Sequence, residues 1–230
     1  MKQKQHAMYG LLILVITVIT SLSALRAEGA ALPLDIDGNS YSFVTIGKKV
    51  WLRDNLNVSR YRNGDPIRQA KTDEEWLDAA AKKEGAWCYY KNDPANAAQF
   101  GRLYNWYAVN DPRGIIPSGW HLPSKEDWME VATVLTGSSP SEERKINALS
   151  TWRYPALAVD NSIHFHAEPG GLRGTEEMAF LFLGENAFIW ASTEQAPNLA
   201  WYAQFDFHNA VINIAAQDKR TGIAVRCIKD

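Results

Sequence analysis

The stretch HFHAE, residues 164–168, places the most reactive side chains in the smallest space. In an extended strand side chains alternate between faces, so His164, His166 and Glu168 would share one face. Two imidazoles and a carboxylate form a donor set for zinc or non-haem iron, and the chemistry they would serve is that of a metal-dependent enzyme. An exposed polar edge is the competing reading of the same alternation. Cys88 and Cys227 are the two cysteines of the chain. An even count allows one disulfide in an oxidising compartment, and two separately buried thiols are the alternative. The sequence holds no G-x-S-x-G nucleophile turn, glycine-rich phosphate loop or C-x-x-C pair. In GWHLPSKEDW, residues 119–128, His121 has no ligand partner at useful spacing, and the stretch reads as a helix entrance.

The elements that must position these residues are well punctuated. YSFVTIGKKVWL predicts a hairpin: Tyr41–Ile46, a tight turn at Gly47-Lys48, and a return over Val50–Leu52. A first helix has Thr72 as N-cap, Glu75 three residues on, Gly85 as its stop, and Trp76, Leu77 and Ala80 as its apolar face. WCYY, residues 87–90, predicts a buried strand. In the second helix Pro123 closes a short extended piece and Ser124 is the cap. Asp127 stands at the third helical position, Trp128, Val131, Ala132 and Leu135 recur at helical spacing, and Gly137 ends the helix. The last fifty or so residues are strand-rich, with FIWAS, LAWYAQFDF, AVINIAA and GIAVRCI forming an expected antiparallel meander. Within it Trp201, Ala203, Phe205 and Phe207 alternate with polar neighbours. Helices early, strands late and no βαβ rhythm give an α+β single domain with two main helices.

The first residues differ in kind. Lys2 and Lys4 precede an uncharged run from Met8 to Leu25, then small residues, the three regions of a secretory signal peptide over residues 1–27. A retained membrane anchor is the alternative, since about eighteen apolar residues can just span a bilayer. The leader lacks cysteine, so a lipoprotein is not expected, and the location read here is extracytoplasmic. Without residues 1–27, 21 of the 24 basic residues remain against 26 acidic ones, a net charge of −5. That balance gives no electrostatic reason to expect nucleic acid or an anionic membrane as a partner. Residues 28–40 form a short lead-in.

From residue 41 to 230 the motifs VWLRDNLNVSRYRNGDPI, WCYYKNDPANAAQFGRLYNWYAVN, IIPSGWHLPSKEDW, EPGGLRG, IWASTE and GIAVRCIKD follow one another. In that order they resemble the major paralogous domain family first described in Fibrobacter succinogenes, which is similar in turn to the C-type-lectin-like fold in its branch shared with formylglycine-generating enzymes. The resemblance implies a two-helix α+β domain whose ends meet on one sheet. It puts Cys88 and Cys227 in recurrent motifs, which implies their pairing, and it matches Phe165 and Ala167 as inward residues. EERKINALSTWRYPALAVD, residues 142–160, departs from the family pattern. The enzyme kinship suggests a copper oxidase site, but that chemistry needs two neighbouring reactive cysteines, and these lie far apart. Calcium-dependent sugar binding in the lectin fold uses a Glu-Pro-Asn or Gln-Pro-Asp triplet. Here Ala196-Pro197-Asn198 lacks the leading carboxylate and offers too few oxygens.

These readings converge on a secreted, non-catalytic recognition module that needs no cofactor and binds a cell-surface glycan or a protein. The expected site is the loop material GLRGTEEM, GENAF and STEQAPNL, with Arg173, Glu194, Asn198 and Trp201 as candidate ligand contacts. Among 26 aromatic residues, nine of them Trp, some are available for stacking on sugars, although most belong to the core. The metal-dependent enzyme using His164, His166 and Glu168 is the alternative.

Overall fold

Turn chemistry and alternation build the first hairpin as expected: β1 (Phe43–Ile46) and β2 (Lys49–Leu52) pair antiparallel across Gly47-Lys48. The computed structural model describes residues 31–137, 150–153, 165, 167–175, 179–209 and 211–230. The expected leader, His164, His166 and most of residues 142–160 lie outside the described residues. After the hairpin come β3 (Arg68–Gln69), α1 (Asp73–Ala81), β4 (Ala86–Cys88), α2 (Ala97–Phe100), β5 (Leu103–Tyr104), α3 (Trp106–Val109), β6 (Trp120–His121) and α4 (Lys125–Thr136). The strand-rich half holds β7 (Ser150–Arg153), β8 (Gly170–Arg173), β9 (Phe180–Leu183), β10 (Asn186–Ala196), β11 (Leu199–Asp206), β12 (Val211–Asp218) and β13 (Ile228–Lys229). Residues 32–230 form one unit with mixed helices and sheets. Among the described residues no helix is long and apolar enough to cross a membrane.

Both main helices start on reciprocal caps. In α1 the Thr72 hydroxyl accepts the Glu75 N–H at 3.2 Å while the Glu75 carboxylate accepts the Thr72 N–H at 3.3 Å. Ser124 and Asp127 do the same for α4, where Asp127 also pairs with Lys49 at 2.5 Å. Trp128, Val131 and Ala132 are buried, Leu135 packs beside them, and Gly137 ends the helix in the left-handed region. The inner face of α1 differs from expectation. Trp76, Ala79 and Ala80 are buried, and Leu77, one residue round the helix, is 46% exposed. Nor does Gly85 stop α1. The helix ends at Ala81, and Lys83 takes the left-handed conformation at φ 53°. Gly85 is where two other groups press on the backbone: a Cβ there would lie 2.2 Å from the Tyr61 hydroxyl and 2.8 Å from Ala108 Cα.

The six-stranded sheet has the order β7-β12-β11-β10-β8-β9, with β10, β11 and β12 as the expected antiparallel meander. On one face Trp201, Ala203 and Phe205 join Trp128 and Phe165 in a core against α4. Phe165 and Ala167 are both buried. GIAVRCI does not extend the meander. Every residue from Thr221 to Ile228 is buried, and the backbone serves neighbours on both sides. Leu52 N–H donates to Cys227 O, Leu56 N–H to Val225 O and Trp190 N–H to Ala224 O. Only Ile228–Lys229 forms a strand there, and it lies between β2 and β6, so the first hairpin and the last strand share one sheet.

The implied disulfide is absent: Cys88 and Cys227 are both free and buried. Cys88 sits on β4 in the small sheet β3-β4-β5, packed with Trp76 and Leu103, whereas Cys227 belongs to a different cluster with Leu52 and Val225. Burial pushes the Cys88 thiol up to about 11, against the opposing pull of the Arg173 guanidinium, and burial raises Cys227 well above its ordinary value. Thiolate, the reactive form, is therefore scarce at neutral pH. Native protein is expected to resist iodoacetamide, and protein denatured without reductant to take up two alkyl groups per chain. Mass spectrometry showing no alkylation after denaturation would mean that the two are bridged.

Candidate functional site

A polar cleft of about 700 Å³ opens between four separate segments of the chain. The first is Gly38–Ser42. The buried Asp35 carboxylate shapes it by accepting the N–H groups of Asp37 and Asn39, the Asn39 amide and the Tyr41 hydroxyl, the last at 2.5 Å. The second is Arg53–Asn57. The Ser42 N–H and hydroxyl both donate to Asp54 Oδ2 at 2.7 Å, and Asn57 N–H donates to the Tyr41 hydroxyl at 3.0 Å. The third is the end of α2, and the fourth is Glu168, whose carboxylate accepts Gln99 Nε2 at 3.4 Å.

Asn55 is the floor and ties three segments together. Its amide donates to Phe100 O at 2.9 Å and its carbonyl accepts Arg226 Nε at 2.8 Å. The chain leaves α2 through Gly101 at φ 71° and ψ −148°, a region open essentially to glycine. A Cβ at Gly101 would also lie 2.7 Å from Leu56 O. Arg226 is fully buried behind the floor, donates to Phe165 O, and stacks 4.5 Å over the Phe165 ring. Burial lowers its pKa to about 9, with the Asp54 and Glu168 carboxylates pulling the other way, so it remains a cation at neutral pH. Arg53 is different. Its guanidinium has no acceptor among the described residues, and it is half-buried at the cleft. The cleft thus offers one uncommitted guanidinium, two carboxylates and several amides and hydroxyls, a lining suited to a ligand rich in hydrogen-bonding groups.

Residues 44–229 match the family model described as the Fibrobacter succinogenes major domain. The chain belongs to that family. No curated protein and no solved structure matches it. In this Fibrobacter succinogenes major domain the Arg53–Asn57, α2 and Glu168 walls lie inside the matched segment, and Gly38–Ser42 precede it.

The candidate contacts from sequence scatter. Arg173 is 0% exposed. Its guanidinium donates to Thr72 O at 3.0 Å, pairs with Asp73 at 2.6 Å and lies 4.7 Å over the Trp76 ring. A cation so enclosed offers a ligand no surface, and Arg173 serves instead to tie β8 to the start of α1. Trp201 is likewise buried, under Lys125 Nζ at 3.8 Å from its ring. Glu194 and Asn198 do come together, on the β10–β11 hairpin. There the buried Lys219 donates to Pro197 O at 3.0 Å, pairs with Glu194 at 3.1 Å and stacks 4.5 Å over Trp106. The cation held by Ala196-Pro197-Asn198 in the Fibrobacter succinogenes major domain is therefore an internal ammonium. Asn198 remains exposed beside it. Glu168 alone of the metal set is described, and it stands on the cleft. His121 meets Asp230 at 2.7 Å on the surface.

Arg53, Asn55, Asn57 and Gln99 were not singled out from sequence. The available signal is the run Arg53-Asp54-Asn55 set between Leu52 and Leu56, both fully buried. Polar residues wedged between core residues mark a place where hydrogen bonding is demanded.

Proposed function

We propose that this chain is an extracytoplasmic, non-catalytic recognition module that binds the polar part of a glycan or protein ligand in the cleft between Gly38–Ser42, Arg53–Asn57 and α2. The observation that carries this is Arg53, a guanidinium held at a cleft of hydrogen-bonding groups with no acceptor among the described residues. Arg presents a rigid fork of donors suited to carboxylates and vicinal hydroxyls. The site thus moves from the late loops to this cleft, because Arg173 and Trp201 are built into the core. The basic, apolar and small-residue order of residues 1–27 supports export. We also read the fold as C-type-lectin-like. The shared sheet of the first hairpin and the last strand, and the proline-led entrance to α4, support that kinship.

The test is an array of neutral and acidic oligosaccharides together with cell-wall fragments, probed with wild type and Arg53→Ala. Loss of one charge-assisted contact is expected to weaken binding by roughly 10- to 100-fold. Arg53 is at the surface of the cleft, so the variant is expected to fold normally. Equal binding by the two proteins would refute the assignment. Stoichiometric zinc or iron in protein purified without a His tag, with a turnover lost in His166→Ala, would favour the metal-dependent enzyme instead.

A further inference from the structure

The lead-in before the first hairpin is a fixed loop. Asp35 N–H donates to Asn39 O and Tyr41 N–H to Pro33 O, both at 3.1 Å, and Leu34 bridges to Ser40. The Asp35 carboxylate is taken up within the loop by four donors: the N–H groups of Asp37 and Asn39, the Asn39 amide and the Tyr41 hydroxyl. So secured, the loop still leaves Leu34 59% and Ile36 44% exposed, with Leu32 open as well. Apolar side chains scattered singly over a surface are ordinary, whereas a group of them at the mouth of a cavity calls for an occupant.

That cavity lies between the loop and residues 115–118. It holds about 190 Å³, with Leu34 and Ile36 contributed by the loop and Ile115, Ile116 and Pro117 by the other wall. Ile115 and Pro117 are buried and Ile116 is half-buried, so this second wall is continuous with the core. The hollow shares no lining residue with the cleft. Pockets for drug-sized ligands run to roughly 300 Å³ and more, and this one takes a short chain or one branched side chain.

Arg62 supplies a charge to this apolar lining. Its backbone N–H donates to Gly114 O at 2.8 Å, and its guanidinium lies across Gly114, where a Cβ would stand 2.8 Å from Nε. Gly114 has φ 69°, so a glycine serves both the turn and the seat of this side chain. The guanidinium is exposed and has neither a hydrogen-bond acceptor nor a carboxylate partner among the described residues. The charges of the neighbouring loops are committed elsewhere. Arg60 pairs with Asp37 at 2.6 Å, and Arg113 with Asp65 at 3.1 Å and Asp111 at 2.8 Å. Asp35, the other charged residue of the lining, is buried with both oxygens engaged.

An uncommitted guanidinium beside an apolar hollow selects a ligand by two features at once. Its fork of donors matches a carboxylate, and one cation balances one negative charge. The hollow accepts hydrocarbon, at a gain of about threefold to fourfold in affinity for each CH₂ removed from water. An alcohol of the same length would forgo the ion pair, and an alkylammonium would meet Arg62 as a like charge.

We propose that the hollow between Leu34, Ile36 and Ile115–Pro117 binds a monocarboxylate carrying a short apolar chain, with Arg62 on the carboxylate. This site is separate from the cleft and does not depend on it. The test is titration of the full chain with acetate, butyrate, hexanoate, hexanol and hexylamine, read on the backbone amides of Ile115, Ile116 and Ser118. Affinity is expected to rise about threefold per CH₂ from acetate to hexanoate. It is expected to fall about tenfold or more when hexanol replaces hexanoate, and equally for hexanoate on Arg62→Ala. Leu34→Ala is expected to flatten the dependence on chain length, and Arg53→Ala to change nothing. Leu34 and Arg62 are exposed, so both variants are expected to melt close to wild type. Tighter binding of N-acetyl-leucine than of hexanoate, with its amide silent, would assign the carboxylate to a peptide C-terminus; the reverse order would assign it to a free acid. No shift at residues 115–118 with any acid, hexanoate binding indifferent to Arg62→Ala, or hexylamine binding as tightly as hexanoate would overturn the proposal. So would binding to phosphatidylglycerol vesicles that Arg62→Ala abolishes, without any binding of hexanoate, which would make this surface a membrane contact. Hexanoate binding in a protein whose cleft takes no ligand would refute the cleft and leave this site standing.

Discussion

Replacing Trp128 by alanine is expected to remove about 3–5 kcal/mol of stability, the range for deleting a large buried aromatic. Trp128 is 0% exposed at the centre of the core between α4 and the six-stranded sheet. Its ring lies 4.9 Å from Trp51, 5.9 Å from Phe165 and 6.1 Å from Phe205, so one deletion ends three ring contacts. Its Nε1 also donates to Trp190 O at 3.3 Å, and that buried carbonyl would lose its partner. In a domain of this size the loss corresponds to a fall in Tm on the order of 10 °C. Trp120, on β6, is only half-buried, and its alanine variant is expected to cost about 1 kcal/mol or less. Urea unfolding of both variants decides the matter. A Trp128→Ala loss no larger than that of Trp120→Ala would mean that α4 is not anchored as described.

Asn105→Ala is expected to be nearly as damaging, at about 3 kcal/mol, through unmet hydrogen bonds and not through volume. Asn105 is 0% exposed, and its one side chain serves three backbone groups. Its Oδ1 accepts Ala86 N–H at 2.9 Å and Ala108 N–H at 3.0 Å, and its Nδ2 donates to Glu84 O at 2.9 Å. It therefore caps α3 while fixing the entry to β4, so alanine would leave the buried Ala86 N–H without this acceptor, cost the Glu84 carbonyl its side-chain donor, and leave Ala108 N–H with only the Asn105 carbonyl at 3.1 Å. Asn110, exposed at the other end of α3, supplies the control, with an expected change within about 0.5 kcal/mol. A shift of the urea midpoint with the slope unchanged would identify a loss of stability without a change in the surface exposed.

The contrast between these two residues shows what a sequence makes legible. Trp128 follows a proline, a serine cap and an acidic third position at the head of a periodic apolar run, all local signals that the structure obeys. The first hairpin and the β10–β11–β12 meander were equally readable, because turns and alternation are also local. Asn105 was not, since its partners lie 19, 21 and 3 residues away and nothing in its neighbourhood announces them. The same blindness placed Arg173 at the surface. Charge between glycines reads as a loop, and only the tertiary fold reveals Asp73 and Trp76 enclosing it. GIAVRCI looked like one more meander strand because burial and β-propensity are the same whether a segment pairs with one neighbour or threads between several. The cleft was hidden for a related reason: each of its four walls is an ordinary polar stretch, and only the links made by Asn55 to Phe100 and Arg226 bring them together.

The central claim, that this cleft is where the chain recognises its ligand, is tested most directly by mapping backbone amide shifts while the strongest binder from the oligosaccharide and cell-wall array is titrated in. Shifts concentrated at Ser40–Ser42, Arg53–Asn57 and Gln99–Gly101 are the predicted result. Shifts confined to the Glu194–Asn198 hairpin, or lying wholly outside the cleft walls, would contradict it.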